Sequence, residues 1–209
     1  MDGNNEKEFF LSKRMIIIST VLFLVIAGIF GYKYYISTPE YSLRIIAESI
    51  RKNDINTLYR HVDVHSIIED FYNDIMYSEI ENNHFLSNKE KKMTIEYMKQ
   101  MRESEVNGIE DELKNTLSNK NNSTPKKKNG KFNEWFGDNS QNSVKYNGIK
   151  KKEFMGNVGV VTLDLYDNEL NDNVYLKLRM IKLDDGKWKV IKIENLLEYY
   201  QRSQNMQGK

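Results

Sequence analysis

The chain has no cysteine among its 209 residues. That excludes disulfides, a thiolate metal site and a cysteine nucleophile. Proline stands only at Pro39 and Pro125, so few positions forbid a regular backbone. Histidine occurs three times, which leaves little material for imidazole chemistry. Neither sign of charge dominates, with 31 Lys and Arg against 30 Asp and Glu. Four basic and three acidic side chains fall in residues 1–36, so residues 37–209 are formally neutral. A nucleic-acid binder ordinarily carries a basic excess, and no nucleic-acid partner is expected here. Long apolar runs are also absent, with one exception.

The exception is Met15–Tyr35, MIIISTVLFLVIAGIFGYKYY. No residue from Met15 to Phe30 is charged, and a membrane span needs about 20 mostly apolar residues. Lys33 can snorkel to the headgroups. Tyr32, Tyr34 and Tyr35 close the run, where amphipathic rings favour the interface. A cleaved signal peptide would turn polar after Val25-Ile26-Ala27, and this run stays apolar. Residues 15–36 are therefore expected to be a transmembrane anchor. Lys7, Lys13 and Arg14 precede it, which predicts a cytoplasmic N-terminus and a single-pass protein of the cell membrane. Residues 1–14 are then a disordered cytoplasmic tail, 37–202 one exported domain with a sizeable core, and 203–209 a frayed end.

Within that domain the helix signals come first. Thr38-Pro39-Glu40 is a helix start, followed by Leu43, Ile46, Ala47 and Ile50 at helical spacing. Asp54 can cap a short second helix, and Asp63 a third whose stripe is Ile67, Ile68, Phe71, Ile75 and Met76. Ser87-Asn88-Lys89-Glu90 is a capping box. It opens a long helix expected to bury Met93, Tyr97, Met101, Ile109, Leu113 and Leu117 on one side, with Gly108 as a place to bend. Residues 119–131, NKNNSTPKKKNGK, form a polar low-complexity loop. The aromatic stretch Phe132–Gly137 after it reads as a short helix closing onto the core.

The remainder reads as β. Strands are expected at Val144–Phe154, Val158–Tyr166, Val174–Leu183 and Lys187–Ile193, with a hairpin at Asp184-Asp185-Gly186. Leu196–Gln201 is a terminal helical turn. Helices followed by a meander of strands make an α+β domain, with helices packed on one face of a curved antiparallel sheet.

This order resembles the nuclear transport factor two-like superfamily, the cone-shaped fold shared by ketosteroid isomerase and scytalone dehydratase. The ending Asp185-Gly186-Lys187-Trp188-Lys189-Val190-Ile191-Lys192-Ile193 is similar to that superfamily's last strand. The block from Thr38-Pro39-Glu40-Tyr41-Ser42-Leu43 through Asn53-Asp54, Tyr59 and Val62-Asp63-Val64 resembles the start of a family of single-pass bacterial envelope proteins. That family has no assigned activity, so the resemblance implies fold and location, not chemistry.

Three patterns could carry chemistry. His61-x-Asp63-x-His65 invites a metal, but the helix break at Asp63 separates the two rings. Asp164 and Tyr166 share a strand face, with Tyr146 on a neighbouring strand. In a cone pocket that set would suit an acid–base enzyme, if the face is concave. Lys126-Lys127-Lys128 could touch anionic headgroups. None reaches the level of an assigned site, so no catalytic, cofactor-binding or metal-ligating residue is expected, and no cofactor. The expected role is a non-enzymatic binding domain beside the membrane, taking a protein partner or a small apolar ligand. The alternatives are the Asp164 pocket enzyme and a structural subunit of an envelope or secretion complex.

The predicted topology has a direct check. Protease added outside whole cells should remove the domain while the first residues stay protected. A domain cut only after lysis would reverse the orientation.

Overall fold

The computed structural model describes the backbone of residues 3–118 and 144–207, with side chains over 19–118 and 144–205. The loop 119–131 and the aromatic stretch Phe132–Gly137 lie outside the described residues. The first helix, α1, runs over Gly3–Ile36. The tail expected to be disordered is thus helical from Gly3. Residues 4–14 contain neither Gly nor Pro, so nothing stops the helix of the apolar run from extending back through them. Every residue from Ser19 to Tyr35 is exposed. Among the described residues, α1 is the one helix long and apolar enough to cross a membrane.

The predicted starts of the next four helices hold. Thr38 Oγ1 accepts the Tyr41 N–H at 3.3 Å and Pro39 opens α2, Pro39–Lys52. That helix stops at Asn53, whose φ of 56° places it in the left-handed region. Asp54 accepts from Thr57 N–H at 3.0 Å to start α3, Ile55–His61. Asp63 accepts from Ser66 N–H at 3.4 Å to start α4, Val64–Asn82. Ser87 and Glu90 satisfy each other's backbone N–H, at 2.8 and 3.4 Å, to start α5, Asn88–Ser118. The helix continues through Gly108.

The stripe expected on α5 is not one face. Ile109 and Leu117 are buried, but Met93 is 63% and Tyr97 62% exposed. A repeat of four residues drifts about 40° per step on a helix of 3.6 residues per turn. From Met93 to Ile109 that drift carries the row to nearly the opposite side. Of that row Ile109 and Leu113 meet the core, joined there by Met98 and Val106.

Four strands follow: β1 Val144–Met155, β2 Val158–Asp167, β3 Asp172–Lys182 and β4 Trp188–Ile193. They pair antiparallel in the order β1-β2-β3-β4. The β3–β4 hairpin turns at Gly186, whose φ of 85° suits a residue without Cβ. Register places Ile149, Leu163 and Leu176 in one row and Val161, Leu178 and Ile193 in the next. This is the inner face, and the helices pack on it. The last helix, α6, spans Leu196–Gln207 and is longer than the predicted turn. Tertiary bonds hold it: Tyr199 Oη donates to Asp167 Oδ2 at 2.6 Å, and Arg202 to Asp172 at 2.7 Å. The architecture is α+β, with six helices and one open antiparallel sheet among the described residues.

The core divides in two. Phe71, Ile75, Val106, Ile109 and Leu196 join α4, α5 and α6. Val161, Leu178, Met180, Trp188 and Val190 join the sheet to the helices before it. Val62 and Ile67 touch both clusters. β4 would otherwise leave a row of unpaired backbone groups on its outer edge. Helical residues supply the partners. Trp188 N–H donates to Ser42 Oγ at 2.9 Å, and Asp63 N–H donates to Val190 C=O at 2.7 Å. The Trp188 indole N–H reaches the Ser37 carbonyl at 2.9 Å, and the ring lies 5.0 Å from that of Phe154.

Trp188 is 5% exposed, with its face shared by buried Val190. Truncating such a ring typically costs about 3–5 kcal/mol, so Trp188→Ala should unfold the domain or sharply lower its yield. Lys189 makes only a partly exposed pair with Asp63 at 3.5 Å, and such pairs are worth about 0–1 kcal/mol. Lys189→Ala should therefore shift the thermal midpoint little. Reversed outcomes in denaturation curves would mean the strand is flipped.

Candidate functional site

The feature with the chemistry of a binding site is a cavity of about 690 Å³ between α2, α4, α5 and the inner face of the sheet. Its floor is Ile149, Leu163, Leu178 and Ile193. One wall is Ile67, Phe71, Leu113 and Leu117 from α4 and α5. The other wall is the α2 stripe, Leu43, Ile46, Ala47 and Ile50.

The apolar stripe of an amphipathic helix is ordinarily its buried side. In α2 Leu43 and Ile46 pack partly buried on the sheet core, Ser42 and Ser49 beside them are buried, and Ile50 remains 38% exposed. Ser42 faces β4 because its hydroxyl is the acceptor for Trp188 N–H. Ser49 Oγ donates to the Ile46 carbonyl at 2.7 Å, so neither buried hydroxyl is left unpaired. With the serine side turned to β4, the apolar stripe lines the cavity.

Polar groups gather only at the rim, which carries Glu40, Arg44 and Tyr146. Lys152 of β1 forms an ion pair with Glu40 across the opening. Burial would raise the Glu40 carboxyl, but Lys152 outweighs it and holds the group below the usual carboxylate range. The Arg44 guanidinium lies 5.6 Å from the Tyr35 ring and 5.4 Å from the Tyr41 ring. Tyr35 belongs to the end of α1, so the rim stands directly beside that helix.

A concavity of this volume is in the range of small-molecule sites, about 300–1,000 Å³. Among the described residues, those lining its interior are apolar. What it can do is remove an apolar surface from water, at about 25 cal/mol per Å².

The sequence-predicted groups fall elsewhere. Asp164 and Tyr166 alternate with Leu163 and point to the other face of the sheet. There Asn147 Nδ2 donates to Asp164 Oδ1 at 3.2 Å, and Tyr166 Oη to Asn171 Oδ1 at 2.7 Å. Tyr146 is at the cavity rim, so the structure does not bring it together with Asp164. His61 is buried with Nδ1 unpartnered, whereas the His65 ring bonds Glu110 at 3.1 Å. Asp63 caps α4 between them, and no group of three or more metal-ligating side chains occurs among the described residues. Lys126-Lys127-Lys128 lie outside the described residues.

Two buried carboxylates escaped the sequence reading. Asp167 accepts from the Glu169 and Leu170 N–H groups at 2.8 and 3.1 Å, as well as from Tyr199. Its place at a strand end was the available signal for a turn-forming Asp. Glu110 bonds Lys114 at 3.0 Å and His65 at 3.1 Å. Burial would raise its carboxyl, but hydrogen bonds from Lys114 and His65 keep it low. Both residues hold elements together and stand away from the cavity.

Burial lowers the His61 imidazole below its ordinary 6.5, against a hydrogen bond to the Trp188 backbone. The unfolded chain therefore takes up the proton first as pH falls. The stability contributed by neutral His61 is complete above about pH 7 and declines as pH drops through the folded value. Unfolding curves should show a loss of stability as pH falls below about 6.5 that is weaker in His61→Gln. Equal slopes in the two proteins would place the titration elsewhere.

Comparison with protein-family models, with curated proteins and with solved structures finds no match to this chain.

Proposed function

We propose that this is a single-pass envelope protein whose exported domain binds a small apolar ligand beside the membrane, without catalysing a reaction on it. The observation that carries this reading is the cavity itself, lined by Leu43, Ile46, Ala47 and Ile50 of α2, of which Leu43 and Ile46 also pack on the sheet core. Empty apolar surface facing water is costly, and apolar cavities accept apolar guests. The exposed apolar helix α1 and the basic residues Lys13 and Arg14 before it support the anchor and its orientation. The order of helices then antiparallel strands is that of the nuclear transport factor two-like cone, the superfamily proposed here. An acid–base enzyme is the weaker reading, since Asp164 is on the far face from the cavity.

A protein partner is the second reading. Its support is the exposed row Met93, Tyr97 and Met101 on α5. Isolated exposed apolar residues are ordinary, but a contiguous row suits an interface.

The first reading is tested with the apolar fluorophore N-phenyl-1-naphthylamine and the full chain in lipid nanodiscs. Saturable binding beyond that of empty nanodiscs is expected, and Leu163→Trp should abolish it by filling the floor. Unsaturable uptake equal to empty nanodiscs, in a protein whose circular dichroism shows it folded, would overturn the reading.

A further inference from the structure

The rim narrows the class of ligand. Arg44 stands at the cavity opening, one helical turn from Glu40 and one from Glu48 on α2. Both carboxylates are engaged by other cations. Glu40 pairs with Lys152, and Glu48 with Lys52 at 2.7 Å and Arg51 at 3.9 Å. Among the described residues Arg44 forms no ion pair. The rings of Tyr35 and Tyr41 lie beside it. A guanidinium carries five N–H donors, and ring contacts do not neutralise its charge. With Glu40 and Lys152 cancelling, the opening carries one uncompensated positive charge over an apolar interior.

The opening is also fixed in position relative to α1. Tyr35 stacks edge-on with Tyr41 at 5.4 Å, and the Ser37 carbonyl accepts from the Trp188 indole. The rim is therefore tied to the end of the helix read here as the anchor, at the level where a leaflet would present its headgroups.

We propose that the cavity takes the chain of a single-chain amphiphile from the adjacent leaflet, with its anionic head on Arg44. This rests on the reading of the cavity as an apolar ligand site. The apolar chain replaces water along the α2 stripe and the sheet floor, while the head stays at the wet opening. Arg suits the head because its fork matches a carboxylate or phosphate oxygen pair.

The test uses the full chain in nanodiscs of zwitterionic lipid. Two photoreactive probes share one chain bearing a terminal diazirine, and differ only in a carboxylate or a hydroxyl head. Labelled residues are located by peptide mass spectrometry. The carboxylate probe is expected to label floor residues such as Leu163 and Leu178, at about tenfold lower half-saturation than the alcohol. Arg44→Gln should erase that difference, and Arg44→Lys should restore much of it. Arg44 is exposed, so these variants are expected to fold. Equal labelling of the floor by both probes, unchanged in Arg44→Gln, overturns the anionic class and leaves the apolar site standing. Labelling confined to α1 and the lipid overturns both this proposal and the binding reading.

Discussion

The outer edge of β4 is the constraint on which the domain depends. A strand at the end of a sheet carries backbone groups that must find partners or water. Here they are answered by Ser42 Oγ on Trp188 N–H and by Asp63 N–H on the Val190 carbonyl. One partner comes from the first turn of α2, the other from the α3–α4 junction. The parallel bridge of Val62 to Val190 extends the same contact. These few bonds join the helical half to the β half over more than a hundred residues of sequence. They also bring Trp188 against Ser37, and so tie the domain to the end of α1.

The cavity is a consequence of that docking. Ser42 of α2 answers the edge of β4, and Leu43 and Ile46 beside it pack on the sheet core. Ala47 and Ile50 continue the stripe along the cavity. Glu40 on α2 and Lys152 on β1 close a polar rim over this space. The same arrangement leaves Arg44 among the lining residues, beside the rings of Tyr35 and Tyr41. One element thus serves both features, since α2 bonds the edge of β4 through Ser42 and lines the cavity through its apolar stripe.

The polar clusters elsewhere have a different character. Asp167 ties α6 to the β2–β3 turn, and Glu110 ties α5 to α4 through His65. Both are saturated with donors from the chain itself, and saturated groups have little left for a ligand. Asp164 likewise spends its acceptors on Asn147 at the outer face. Arg44 at the cavity rim, by contrast, forms no ion pair among the described residues.

Local chemistry made much of this legible in advance. The cap residues Thr38, Asp54, Asp63 and Ser87 act within three or four positions of themselves, so the starts of four helices were readable. Alternation along β2 and β3 and the turn at Gly186 depend on period and φ alone, and strand faces followed from them. The length of the apolar run likewise marked α1. Other features depend on which neighbour a face meets. That Ser42 of α2 is buried is decided by the unpaired edge of β4, which lies 146 residues away. Whether Met93 and Tyr97 join the core depends on the angular drift of α5 past α4, and the length of α6 on Asp167 and Asp172. The sequence by itself therefore determined the elements and their order. Only the tertiary structure decided that the α2 stripe, set beside a serine bonded to β4, would both meet the sheet core and line a cavity.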